Sequence, residues 1–164
     1  MGAKTLTVTA TDTAGNTATS TNTYYVVYNF NLTPPKTPAN LGSAVPLIWQ
    51  LKDANGVSIT DMTSLVTLAS YFTPGVVPVN GVCPITYPGT TKVVLYNPAT
   101  GAAGGSNFRL ISGGFQFNWD TTTAQATGKG CYTIVWQLKD NSGPALPFPV
   151  LNQNLLKKTS VQLK

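Results

Sequence analysis

The chain has 164 residues, room for one ordinary domain and a fragment of a neighbour, and its 42% hydrophobic content is enough for a buried core. Only 9% of residues are charged, against about 25% in a typical soluble protein, and the net charge of +5 is spread over scattered lysines and a single arginine, Arg109. A phosphate-binding face needs clustered cations, so a nucleic-acid partner is set aside; Glu is absent while Thr, Val and Tyr abound, so a helical fold is set aside too.

Residues 4 to 29 read as a hairpin. Leu6, Val8 and Ala10 alternate with Thr5, Thr7, Thr9 and Thr11, the period-two signature of a half-buried strand. Asp12-Thr13-Ala14-Gly15-Asn16 supplies the turn, and the return strand runs from Thr17 into Tyr24-Tyr25-Val26-Val27-Tyr28. The stretch from Val8 to Asn16 resembles the last hairpin of the immunoglobulin-like repeats of bacterial surface proteins. Residues 1–30 are therefore expected to be the terminal hairpin of a preceding repeat, or the N-terminal strands of this module.

Residues 31–43, broken by Pro34, Pro35, Pro38 and Gly42, read as a Pro-rich linker, and 44–164 as the module proper. Within it the pattern predicts strands near 44–52, 64–70, 76–82, 91–97, 107–111, 114–120, 131–139 and 158–164. The stretch 141–157, with Pro144, Pro147 and Pro149, is expected to be irregular or an edge strand. Many short strands between turn signals predict an all-β fold, an immunoglobulin-like antiparallel β-sandwich with little or no helix.

One unit occurs twice. Trp49-Gln50-Leu51-Lys52-Asp53-Ala54-Asn55-Gly56 returns as Trp136-Gln137-Leu138-Lys139-Asp140-Asn141-Ser142-Gly143, each copy ending an apolar run and opening a turn. Strand phase puts Leu47, Trp49 and Leu51 on one face, and likewise Tyr132, Ile134, Trp136 and Leu138, and Phe115, Phe117 and Trp119. All three tryptophans are thus expected in the core rather than on a sugar-binding platform. Tyr71, Tyr87 and Tyr96 remain as weak candidates for ligand contact, in loops near 71–90 and 97–107.

Catalysis finds little to work with. There is no His to act as base, and no Gly-x-Ser-x-Gly elbow or Ser-x-x-Lys spacing. Asp12, Asp53 and Asp140 sit in turn sequences, and Asp61 and Asp120 border strands. Asp53 with Asn55, and Asp140 with Asn141, are the local oxygen clusters, too poor for the six to eight ligands about a calcium ion. No enzyme, metal site or cofactor is expected. Cys83 and Cys131, without His to complete a zinc site, read as a disulfide in an oxidising compartment, the alternative being two unpaired buried thiols. No run is long enough to cross a bilayer, so no membrane insertion is expected; Met1-Gly2-Ala3-Lys4 opens no signal peptide, because no apolar stretch follows it.

Gly42-Ser43-Ala44-Val45-Pro46-Leu47-Ile48-Trp49 is similar to the opening of the PxKF-motif domain, a C-terminal module of secreted bacterial proteins, with Ile48-Trp49 where that family has Lys-Phe. Phe115-Gln116-Phe117-Asn118-Trp119 resembles its Tyr-x-Tyr-x-Trp strand. Gly130-Cys131-Tyr132 with Val135-Trp136-Gln137-Leu138-Lys139-Asp140 resembles its Gly-x-Cys and Val-x-Leu-Lys-Asp segments, and Cys83 falls at its other cysteine. The resemblance covers about 40–164 and implies location and architecture: a non-enzymatic extracellular structural or adhesion module at the end of a larger bacterial surface or secreted protein. Neighbouring domains or like subunits would be its partners, through strand addition by the hairpin. The alternative is a glycan- or polymer-binding accessory module of a secreted hydrolase.

Overall fold

The computed structural model describes residues 2–26, 28–122, 125–139 and 156–164. Among the described residues eleven strands pair antiparallel with one another, with a single 3₁₀ turn, Met62–Ser64, as the helical element. β1 (Gly2–Thr11) and β2 (Thr17–Val26) form a ribbon of their own. One sheet holds β3 (Asn29–Thr33), β4 (Ala44–Lys52), β8 (Asn107–Ile111) and β9 (Gly114–Asp120) in the order β3-β4-β9-β8. The other holds β5 (Leu65–Phe72), β6 (Thr91–Asn97), β7 (Gly101–Ala102), β10 (Gly130–Leu138) and β11 (Leu156–Leu163) in the order β11-β10-β5-β6-β7.

In immunoglobulin lettering these orders are A-B-E-D and G-F-C-C′-C″, the variable-type arrangement, reached strand for strand. The fold is the expected all-β, immunoglobulin-like sandwich. Its core is made by alternation: Val45, Leu47, Trp49 and Leu51 of β4 and Phe115, Phe117 and Trp119 of β9 face Tyr132, Ile134, Trp136 and Leu138 of β10, all buried. The two repeated tryptophans meet there, one from each sheet, Trp49 and Trp136 crossing edge to face at 5.8 Å. Copies of one sequence unit thus form strand B and strand F and touch across the sandwich.

A further immunoglobulin-like device sits at the start of β10. The Tyr132 hydroxyl donates to the Gly128 carbonyl at 2.6 Å and accepts from the Gly128 N–H at 2.9 Å, the reach-back of a tyrosine corner. It closes the turn that leads the chain from one sheet to the other.

The structure corrects several boundaries. Asn29–Thr33 is a strand, paired from Asn29↔Lys52 to Thr33↔Ile48, so the segment read as linker from residue 31 opens with strand A. Phe30 and Leu32 drive this by packing on the core, a two-residue alternation too short to register beside Pro34-Pro35. No strand spans 76–82; only an isolated Val79↔Val82 bridge forms, around Asn80 and Gly81, both at positive φ. Pro74, Pro78 and Pro84 withhold the donors a ladder needs. Residues 140–155, which hold Asp140 and most of the stretch expected to be irregular, lie outside the described residues, and β11 starts at Leu156.

Candidate binding surface

The inner face of the five-stranded sheet belongs to the core; its outer face carries the feature of interest. Register sets the outward rows: Lys92, Tyr71, Thr133 and Ser160 lie abreast, and next to them Val94, Ala69, Val135 and Lys158. Over this face runs the connection between β5 and β6, residues 73–90.

Several bonds hold the connection down. Cys83 is joined to Cys131 of β10, with Cα atoms 5.5 Å apart, so the expected disulfide is formed. The Ser160 hydroxyl donates to the Cys83 carbonyl at 2.7 Å, and the Thr86 N–H donates to the Thr133 hydroxyl at 2.8 Å. Beyond these, the Tyr87 ring meets Tyr71 edge-on at 5.0 Å. Gly89 lets the chain pass close, since a Cβ there would lie 3.0 Å from Tyr71 Cβ. Unlike an antibody domain's B–F bridge between sheets, this disulfide fastens a loop to the outside of one sheet.

Two lysines complete the surface. Lys158 Nζ stands 4.4 Å from the Tyr87 ring centre and Lys92 Nζ 5.9 Å from that of Tyr71. The Tyr87 hydroxyl titrates above its ordinary range, chiefly because it is partly buried and also because it is coupled to Tyr71, while the two lysines oppose the shift. Of the tyrosines singled out in sequence, Tyr71 and Tyr87 are therefore brought together. Tyr96 lies elsewhere, in the core cluster, its ring 4.6 Å from Phe108 and its pKa raised by burial.

Sequence reasoning misses Lys92, Lys158, Thr133 and Ser160 as members of this surface. A usable signal exists for the first: Lys92 and Val94 alternate with Val93 and Leu95, which places Lys92 opposite the core. The pairing of 73–90 with β10 and β11 is long-range and leaves no local trace.

A second concavity lies at the B–C end. Tyr28, Asp53, Ile59, Asp61, Thr63, Ser64 and Lys139 line a cleft of about 320 Å³. Its carboxylates already serve the backbone: Asp53 accepts from the N–H groups of Asn55 and Val57, and Asp61 accepts from Thr63 N–H and hydroxyl. Those bonds to Thr63 hold Asp61 below its ordinary pKa. Asp12 and Asp120 do the same work, the former for Ala14 and Asn16 and the latter for Gly105 and Thr122. The turn role expected for Asp12 and Asp53 is what the hydrogen bonds show, and Asp61 and Asp120, at the borders of strands, bond the backbone in the same way.

No family model matches the chain, and no curated protein matches it. Among solved structures it is similar to a chimeric titin Z1Z2-Z1Z2 tandem functionalized with a GRGDS peptide from fibronectin. That match has 13% identity and a TM-score of 0.36, and takes in 98% of this chain and 63% of that one.

Proposed function

We propose that the chain is a non-enzymatic structural and adhesive module of a larger extracellular protein of bacterial type. The observation that carries this reading is the loop 73–90, fastened by disulfide, hydrogen bonds and stacked rings to the outside of a variable-type sandwich. A loop held so firmly, with its apolar side chains outward, is built for display. The cystine fits an oxidising compartment, and no helix among the described residues is long and apolar enough to cross a membrane. The likeness to PxKF-motif domains belongs to the same reading, since the residues that carry it supply strands B, E and F.

Beads coated with the oxidised chain test the reading under flow over bacterial cells, mammalian cells and mucin. Adhesion above albumin-coated beads, lost after Cys83→Ser, is expected, with no turnover of ester, peptide or glycoside substrates. Adhesion no better than albumin, or turnover abolished by Asp53→Asn or Asp61→Asn, overturns it.

The exposed ribbon favours a second element, assembly by strand addition. Its outer edges are free of partners among the described residues, and a two-stranded hairpin is marginal alone. Light scattering of the chain with and without residues 1–28 separates the cases: a monomer in both forms rejects assembly through the ribbon. The Tyr71–Tyr87 pair also keeps a glycan-binding role in play; a glycan-array signal that survives Tyr87→Ala rejects that role for this pair.

A further inference from the structure

Among the described residues eleven large hydrophobic side chains are exposed, and six of them belong to this side of the sheet: Val77, Val79, Val82, Ile85 and Tyr87 in the 73–90 connection and Val94 in the outward row of β6. Singly exposed apolar residues are ordinary, but a group of this size marks an interaction surface. Val77, Val79, Val82 and Ile85 are 54–68% exposed while Val76 is half-buried, so these four do not hold the loop to the sheet. That task falls to the cystine, to the Thr86 and Ser160 hydrogen bonds and to the Tyr71–Tyr87 contact. Val79 and Val82 are cross-strand partners flanking the Asn80-Gly81 turn, so their side chains stand side by side.

Charge narrows the partner. The five strands of this sheet and the connection over it contain no acidic residue, yet they carry Lys92, Lys157 and Lys158. The described aspartates all lie elsewhere, in the ribbon turn, at the B–C end and at the end of β9. Tyr71 is buried and Lys158 stands over the Tyr87 ring, so the pair does not offer two open rings for a sugar to stack on. Aliphatic knobs flanked by cations, with no anion nearby, match the interface of an anionic bilayer.

We propose that the outer face of the five-stranded sheet docks on anionic lipid membranes. Val77, Val79, Val82 and Ile85 enter the headgroup layer, and Lys92 and Lys158 meet lipid phosphates or carboxylates without any segment crossing the bilayer. This rests on the adhesive reading above, and bead adhesion that persists while vesicle binding fails would remove the lipid and leave adhesion to another surface.

The test is co-sedimentation of the oxidised chain with unilamellar vesicles of phosphatidylcholine, with and without 30% phosphatidylglycerol (roughly the anionic content at which surface charge becomes effective). Binding to the anionic vesicles only is expected. It should weaken about fivefold for each of Lys92→Gln and Lys158→Gln, and about tenfold for Val79→Asn with Val82→Asn together. All four side chains are at the surface, and circular dichroism with thermal melts confirms that the variants fold. Equal binding to both vesicle types, or binding to neither, overturns the proposal. Indifference to the valine substitutions, with equal affinity for soluble heparin, reassigns the face to an acidic polysaccharide and overturns it as well. Self-association without vesicles, abolished by the valine substitutions, would mean that a second copy covers this face and would overturn it too.

Discussion

In β10, Tyr132, Ile134, Trp136 and Leu138 point to one side and are at most 2% exposed; in β1, Leu6 and Val8 also point to one side and are more than half exposed. The alternation is the same, but only one strand has a second sheet to cover it. Period two fixes which side chains share a face, while burial depends on what the rest of the chain brings to that face. The ribbon holds itself through its ladder and through threonine pairs such as Thr7–Thr21 and Thr9–Thr19, bonds that work in water. The sandwich is held by aromatic volume.

Substitutions can break or sharpen that contrast. Trp136→Ala empties a large volume beside Trp49 and Phe30 and is expected to cost about 3–5 kcal/mol in chemical denaturation. A loss under 1 kcal/mol would mean the two sheets are not joined there. Replacing Cys83 and Cys131 by Ser releases a cross-link between residues 48 apart and should cost about 2–4 kcal/mol. Thermal melting with and without reductant reads the same difference in the parent chain. Tyr132→Phe strips both bonds to Gly128 and should lower stability by about 1–2 kcal/mol while leaving the circular dichroism spectrum unchanged.

Acid gives a smaller effect. Asp12, Asp61 and Asp120 are held below the ordinary 3.8 by hydrogen bonds to Asn16, Thr63 and Thr122 respectively. Their contribution is complete above the unfolded value and lost as pH falls through the folded one, so the melting temperature should decline only below about pH 4. Asp61→Asn and Asp120→Asn should flatten that decline, whereas Asp12→Asn, in the ribbon, should leave it unchanged. Least of all, Leu6→Ser with Val8→Ser should alter unfolding by less than about 0.5 kcal/mol. A larger change would show that the ribbon face is covered in solution.

How much of this was legible depends on the range of the interaction. Seven of the eight strands expected in the module (76–82 is the exception), the turn role of Asp12 and Asp53 and the burial of Trp49, Trp119 and Trp136 follow from neighbours two to four residues apart, and those readings agree with the structure. The two cysteines were visible, but their bonding was one of two options until Cys83 and Cys131 met in space. Strand A was hidden because its evidence is two side chains, Phe30 and Leu32, whose role depends on a core built from later residues. The binding surface was harder still. Tyr71, Tyr87 and Lys158 come from three separate segments, and only the register of β5, β10 and β11 lays them side by side.

After strand A the chain runs alongside β11. Ala39 and Leu163 form a parallel bridge, with Ala39 N–H donating to Gln162, Leu41 N–H to Lys164 and Lys164 N–H back to Ala39. Tension applied between Ala39 and Lys164 would draw these two neighbours past each other in opposite directions. The three bonds would then be strained together, in shear, and would have to yield at once instead of peeling open one after another.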